Sequence, residues 1–316
     1  MRSAYVWCPA YPLHTADQLA VARDRTRALA ERCNLAVEES PLLRRLAPPG
    51  AWFDAAERCA DLRAGLEHDV LLAARGGYGC VDLLGTLGQA VRLPVLVGFS
   101  DLTVLHCWWR RRGQEASGQA DWVAERGSAS VAQPAVRALP PASVYGFMPG
   151  VPAGPRALSS AAALLNGEPL AIDAASCPAA TVLRTGEASG PLVPACLRVL
   201  AALVGTPGMP SLTGAILALE DVDERPYQME RDLAQLWAGG CLAGVAGLVL
   251  GVFPSPSPPG YGGPSACDVL ARWADRLGVP AVAGLPIGHD PDPLALPSSV
   301  AVRLRAAPGA WRLATP

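Results

Sequence analysis

Within the first hundred residues, short apolar runs at 4–7, 35–38, 69–74 and 94–99 are separated by stretches with helical spacing. That alternation constrains the fold more than any other feature. Strands that alternate with helices cross over between neighbours, and they build a parallel sheet covered by helices, an α/β architecture. The run at 69–74 lacks polar alternation, as a strand buried on both faces requires. A first helix is expected after Thr15, where Gln18 completes a capping box, and runs to about Cys33. Further helices are expected at 53–66, near 81–87, and from 101 to about 110.

From 113 to 142 the pattern stops: Gly, Ser, Ala, Gln and Pro dominate, and the segment reads as a long surface insertion. Residues 149–155 read as a linker, which divides the chain into a domain over 1–150 and a second over 156–316. In the second, strands are expected at 181–185, 214–220, 248–253, 300–305 and 311–314, with helices at 226–237 and 266–277. A loop rich in Pro, Ser and Gly covers 254–263.

The chain has 316 residues, 51% of them hydrophobic, enough for two ordinary cores or one large one. With 17% charged residues and a net charge of −2, it lacks the basic footprint of a nucleic-acid partner. Arg110-Arg111-Arg112 reads as a solvated helix C-terminus. None of the nine cysteines forms a CxxC pair, which argues against a structural zinc site and for reduced cytosolic thiols. Cys80 and Cys107 lie closest in sequence to the candidate site. No apolar leader is visible, and the apolar stretch 239–253 is short for a membrane span. A soluble, cytoplasmic protein without a membrane partner is expected.

The chemistry starts at Val97-Gly98-Phe99-Ser100-Asp101-Leu102-Thr103. A buried strand ends at a serine and a helix begins at once. Such a turn lifts the hydroxyl out of the sheet and sets unpaired helix N–H groups beside it. Gly98 leaves room for the turn, although Leu102 stands where the α/β-hydrolase elbow has its second glycine. Ser100 could equally be a plain helix cap. Of the four histidines, His289 follows an apolar run in a loop of Pro and Gly and is free to face a site; it could also be an exposed loop residue. Glu220 ends an apolar strand, where α/β proteins place functional groups, while Asp221, Asp223 and Glu224 crowd the same turn and compete for the role of orienting acid. Arg75-Gly76-Gly77-Tyr78-Gly79 is a poor dinucleotide fingerprint, because Asp82 occupies the third glycine's place. It reads better as a loop that offers N–H groups to an anion or oxyanion.

Taken together, Arg75 to Gly79, Val97 to Thr103, Leu219-Glu220-Asp221-Val222 with Pro226-Tyr227 and Arg231, Gly205-Thr206-Pro207, Trp52-Phe53 through Arg58, and Gly288-His289 resemble the serine LD-carboxypeptidases, of which the microcin C self-immunity hydrolases are a branch. The resemblance covers nearly the whole chain outside the insertion. It implies a flavodoxin-like N-terminal domain, a strand-rich C-terminal α/β domain, and a site between them. It implies a catalytic triad of Ser100, Glu220 and His289, oxyanion and substrate-binding donors near Gly77 and at the Asp101 N–H, no metal or other cofactor, and a homodimer. The implied reaction removes the terminal D-alanine from a cytoplasmic muropeptide tetrapeptide during peptidoglycan recycling. The alternatives are an immunity-type hydrolase of aminoacyl or peptidyl nucleotide analogues and, in another class, a non-catalytic muropeptide-binding relative. Two regions depart from the family pattern. Pro194-Ala195-Cys196-Leu197 stands where Gly-Gly-Asn-Leu is usual, and Tyr145-Gly146-Phe147 where His-Gly-Pro is.

Overall fold

A computed structural model describes residues 1–87, 93–116, 143–254 and 260–316. Its first part runs β1 (Arg2–Trp7), α1 (Ala16–Cys33), β2 (Leu35–Glu39), α2 (Pro41–Arg44), α3 (Ala55–Gly65), β3 (Val70–Ala73), α4 (Leu84–Leu87), β4 (Val95–Gly98), α5 (Thr103–Ala116), β5 (Ser143–Tyr145) and α6 (Pro155–Leu165). Then follow β6 (Ala171–Asp173), β7 (Thr181–Arg184), β8 (Gly186–Cys196), α7 (Leu197–Ala202), β9 (Ile216–Glu220), α8 (Pro226–Ala238), β10 (Gly247–Gly251), α9 (Ala266–Leu277), β11 (Ala281–Leu285), β12 (Leu296–Ser298), β13 (Ala301–Ala307) and β14 (Ala310–Ala314).

The first sheet has the order β12-β5-β4-β3-β1-β2. Its five N-terminal strands are parallel, as the alternating pattern requires, and β12 adds an antiparallel edge on β5. All four residues of β3 are buried, which accounts for its unbroken apolar sequence. Each such side chain contributes about 1.5–3 kcal/mol relative to exposure. The capping box of Thr15 and Gln18 forms at the start of α1, and Asn34 ends that helix in the left-handed conformation. The second sheet, β6-β14-β13-β8-β9-β10-β11-β7, is parallel in its centre from β8 to β11 and antiparallel on both flanks.

One strand absent from the sequence expectations organises this second sheet. β8 contains Pro191 and Pro194, which ordinarily argue against a central strand. It tolerates them because it changes partners: 186–191 pair with β13 and 192–196 with β9. The Leu192 N–H donates to Val300 O. N–H direction alternates along a strand, so the Pro194 nitrogen faces the same side, beyond the start of the β13 ladder.

α5 carries the core from one sheet to the other. Leu105, Trp108 and Trp109 share one buried cluster with Tyr5 and Leu71 of the first sheet and with Leu200, Leu217 and Leu233 of the second part. The helix extends to Ala116, past the expected start of the insertion, because Gln114 exchanges hydrogen bonds with the Ser211 main chain. The rest of that insertion, 117–142, lies outside the described residues, as do 255–259 of the loop expected at 254–263. The arginine run is solvated only in part: Arg112 is exposed and Arg111 half-buried, and the helix runs on past them. Arg110 is buried and donates to Ser211 O, and burial pushes its pKa down to about 10. Among the described residues, no helix is long and apolar enough to cross a membrane.

Candidate active site

Ser100 is one of four non-glycine residues with positive φ among the described residues, at 66°. The chain leaves β4 through Gly98 (φ 156°), turns at Ser100 into a short 3-10 turn over Ser100–Leu102, and continues as α5. A Cβ on Gly98 would overlap the Leu102 side chain, so glycine is required where the turn closes on itself. A left-handed, non-glycine residue at a strand-to-helix junction is the strained geometry of an exposed nucleophile.

The glycine loop crosses directly beside that hydroxyl. A Cβ built on Gly76 would lie 3.0 Å from Ser100 Cβ and 3.2 Å from its Oγ. Gly77, at φ 132°, packs so tightly on the Tyr11 ring that a Cβ would overlap it. Asp101 holds the loop to the turn, because its buried carboxylate accepts the Cys80 N–H at 2.8 Å. Burial raises the Asp101 pKa, against the lowering effect of that hydrogen bond. This tie was not anticipated; only the Asp101 main chain was assigned a role. Among the described residues, the Gly77 and Asp101 N–H groups have no hydrogen-bond acceptor within the chain.

Glu220 is the last residue of β9 and is fully buried. Its Oε2 lies 2.7 Å from His289 Nδ1 and accepts the His289 main-chain N–H at 3.1 Å. Gly288, at φ 68°, makes this approach possible, since a Cβ there would overlap the Glu220 carboxylate. The competing acids are turned elsewhere. Asp221 accepts the N–H groups of Arg198 and Val222, and burial pushes its pKa up to about 6. The Glu224 carboxylate lies 4.0 Å from Arg198. Burial opposes charging of the His289 ring, but the Glu220 hydrogen bond and charge, reinforced by Asp221 and Asp223, hold its pKa above the ordinary value.

His289 packs edge-on against Phe99, with ring centroids 5.2 Å apart, and so stands beside the residue preceding Ser100. Among the described residues, no hydrogen bond joins Ser100 Oγ to His289; such contacts commonly tighten only when substrate is bound. Ser100, Glu220 and His289 thus lie at or just beyond the carboxyl ends of β4, β9 and β11, strands of two sheets. Among the described residues, no group of three or more His, Cys, Asp or Glu is arranged to hold a metal ion.

Residues 5–117 match the LD-carboxypeptidase N-terminal domain and residues 189–304 the LD-carboxypeptidase C-terminal domain. The chain belongs to the LD-carboxypeptidase family. A protein of Streptomyces coelicolor is 34% identical over 276 residues, 83% of this LD-carboxypeptidase and 77% of the relative. The murein tetrapeptide carboxypeptidase of Pseudomonas aeruginosa is 30% identical over 227 residues, 68% of this chain and 65% of that one. The muramoyltetrapeptide carboxypeptidase of Oxalobacter formigenes superposes with a TM-score of 0.75, covering 99% of this chain and 100% of that one at 23% identity. The microcin immunity protein MccF in complex with glutamyl sulfamoyl guanosine has the same fold, with a TM-score of 0.73 at 14% identity over 100% of this chain and 96% of that one.

Both departures from the family pattern lie at this LD-carboxypeptidase's site. Cys196 ends β8 beside Glu220; its thiol contacts Asp221 at 3.4 Å, and burial together with the neighbouring carboxylates pushes its pKa far up. Tyr145 ends β5, and its hydroxyl donates to Glu220 Oε1 at 2.5 Å. Sequence reasoning flagged that region only as a departure. The burial of Tyr145 and its place at the carboxyl end of the strand beside β4 are features of the tertiary structure with no local sequence signal. His106 is buried, bonding Ser143 and Gly98 O, and burial pushes its pKa down to about 4. Cys107 and Cys80 are buried thiols whose pKa values burial raises, Cys107 to about 12.

Proposed function

We propose that this LD-carboxypeptidase hydrolyses the L,D-peptide bond before the terminal D-alanine of a murein tetrapeptide, with Ser100 as nucleophile, His289 as base and Glu220 as orienting acid. The observation that carries the reading is the buried Glu220–His289 pair at 2.7 Å, packed on Phe99 next to a left-handed Ser100, in a chain of this family. The murein tetrapeptide carboxypeptidase relative supports the substrate class.

His289 Nδ1 faces Glu220, which leaves Nε2 to take the proton as Ser100 Oγ attacks the scissile carbonyl. The Gly77 and Asp101 N–H groups stabilise the oxyanion of the tetrahedral intermediate. Its collapse breaks the C–N bond, and His289 returns the proton to the departing D-amino acid. Water then attacks the acyl-enzyme by the same route, with His289 again accepting a proton and passing it to Ser100 Oγ. Removal of cell-wall tetrapeptide ends in the cytoplasm is the setting this reaction fits, and a homodimer is the assembly the family resemblance implies.

The test is mass spectrometry of a muropeptide mixture before and after incubation, with loss of one terminal alanine from tetrapeptides expected. A carboxypeptidase must also recognise the free terminus, so amidating it should lower kcat/KM at least tenfold, roughly the loss of one charge-assisted hydrogen bond. Equal cleavage of blocked and free termini would overturn the carboxypeptidase reading and leave the serine-hydrolase reading standing.

A further inference from the structure

We infer that Tyr145 is a positioning residue of this hydrolase: its phenol ties the Ser100 main chain to the Glu220 carboxylate and so fixes the nucleophile's turn and the acid–base pair relative to one another. The inference rests on the triad assignment above and goes beyond it, because no member of a serine, histidine and acid triad supplies this link.

Tyr145 is 1% exposed, and its hydroxyl sits among the Glu220 carboxylate, the Ser100 main chain and the Thr103 side chain. It donates to Glu220 Oε1 at 2.5 Å and accepts the Ser100 N–H at 3.3 Å. The ring is wedged between Phe99 and His106, with centroid distances of 6.1 Å and 5.3 Å. The next residue, Gly146, is locked in place, since a Cβ there would lie 2.8 Å from Ala295 Cα.

The link has a physical necessity on each side. Glu220 has no solvent contact, so a charged carboxylate there needs donors on both oxygens. His289 supplies two to Oε2, and Tyr145 supplies the one to Oε1. On the other side, Ser100 is held in a left-handed conformation that costs energy unless its surroundings enforce it. An acceptor on its N–H helps to enforce it. Burial and the charge of Glu220 hold the phenol in its protonated form, so the direction of donation does not reverse at working pH. The same arrangement commits the Ser100 N–H to Tyr145, which leaves Gly77 and Asp101 as the oxyanion donors.

Losing the phenol would leave Glu220 Oε1 without its donor. The carboxylate's charge, no longer shared with the phenol, then holds the His289 proton more strongly and shifts the acidic limb of the pH profile to higher pH. The titratable groups facing the pair are Asp221 and Asp223 on the turn after β9, Cys196 at the end of β8, and His106 on α5. Cys196 and His106 keep their protonation state across the working range. Burial pushes the Asp221 carboxyl up to about 6, and its partners Arg198 and Val222 are untouched by the substitution, so the comparison between variants cancels it.

The experiment measures phosphonylation of Ser100 by a fluorophosphonate, with loss of fluoride, as a function of pH, in wild type and Tyr145→Phe, with the fold checked by circular dichroism. This readout needs an activated serine but no knowledge of the peptide substrate. Wild-type protein that does not react would sink the triad reading itself. If wild type reacts, Tyr145→Phe should react on the order of ten- to a hundredfold more slowly, with its acidic limb raised by roughly one pH unit. Peptide turnover should lose kcat and keep KM. A residue that only fills space would leave the limb where it was, and an unmoved limb with a wild-type rate overturns the inference. Should Tyr145→Phe not fold, 3-fluorotyrosine placed at 145 keeps ring and hydroxyl. As a stronger donor it should move the limb downward, and no movement is again a refutation.

Discussion

Glu220 receives two hydrogen bonds from one residue, the ring and the main-chain N–H of His289, on a single oxygen. A carboxylate held this way sets both the tautomer and the orientation of the imidazole, with Nε2 pointing outward. Replacing Glu220 by Gln keeps the shape and removes the charge that stabilises the imidazolium. We expect Glu220→Gln to lower kcat on the order of ten-thousandfold, and Glu224→Gln to change it less than about threefold. Comparable losses in both would show that the acid was misassigned.

Replacing Ser100 separates catalysis from strain. Ser100→Ala should reduce turnover about a millionfold. Ser100→Gly should be equally inactive, yet more stable than Ser100→Ala by about 1 kcal/mol, because alanine at φ 66° pays the left-handed penalty and glycine does not. Urea unfolding of the two variants measures the difference. A Gly variant that is less stable would mean the turn is not strained.

The raised pKa of His289 makes activity and stability run in opposite directions through one pH window. As a base His289 must be neutral, so kcat/KM should fall as pH drops through a value above the ordinary 6.5. The folded state binds this proton more tightly than the unfolded chain does. The stabilisation is therefore fully present below the unfolded value and is lost as pH rises through the folded one. Melting temperatures of wild type and His289→Gln across pH 5–9 (about the range in which such a ring titrates) should converge toward high pH. A gap that widens toward high pH would contradict the sign.

Gly288 and Gly309 share a left-handed conformation, at φ 68° and 71°, and differ in their surroundings. A side chain at 309 meets open space, whereas one at 288 meets the Glu220 carboxylate. Gly309→Ala should cost about 1 kcal/mol and leave activity intact. Gly288→Ala should cost about 2 kcal/mol or more and also remove most activity, because Glu220 must move. Equal behaviour of the two variants would mean that the approach of Glu220 to the 288–289 turn is not needed.

Much of the fold was legible in the sequence because it is written locally. The capping box at Thr15, the unbroken apolar run at 70–73 and the proline-started helix over Pro226–Ala238 each depend on residues a few positions apart. β8 was not legible. Its prolines are acceptable because the strand changes partners between 191 and 192, from β13 to β9, a fact about strands far along the chain.

The candidate site divides in the same way. Ser100 at the end of an apolar run and before a helix is a local pattern, and the sequence by itself determined where a sharp strand-to-helix turn would carry a hydroxyl. Among Glu220, Asp221, Asp223 and Glu224, acidic residues within five positions, the strand end favoured Glu220 but left the other three in competition. The direction of β9 and the turn at Gly288 decided, by bringing one carboxylate 2.7 Å from an imidazole 69 residues on. Tyr145 became part of the site only in three dimensions. Its hydroxyl meets Ser100 and Glu220 because the core around α5 clamps the two sheets together, and a buried carboxylate in that seam has to find its donors wherever the packing has put them.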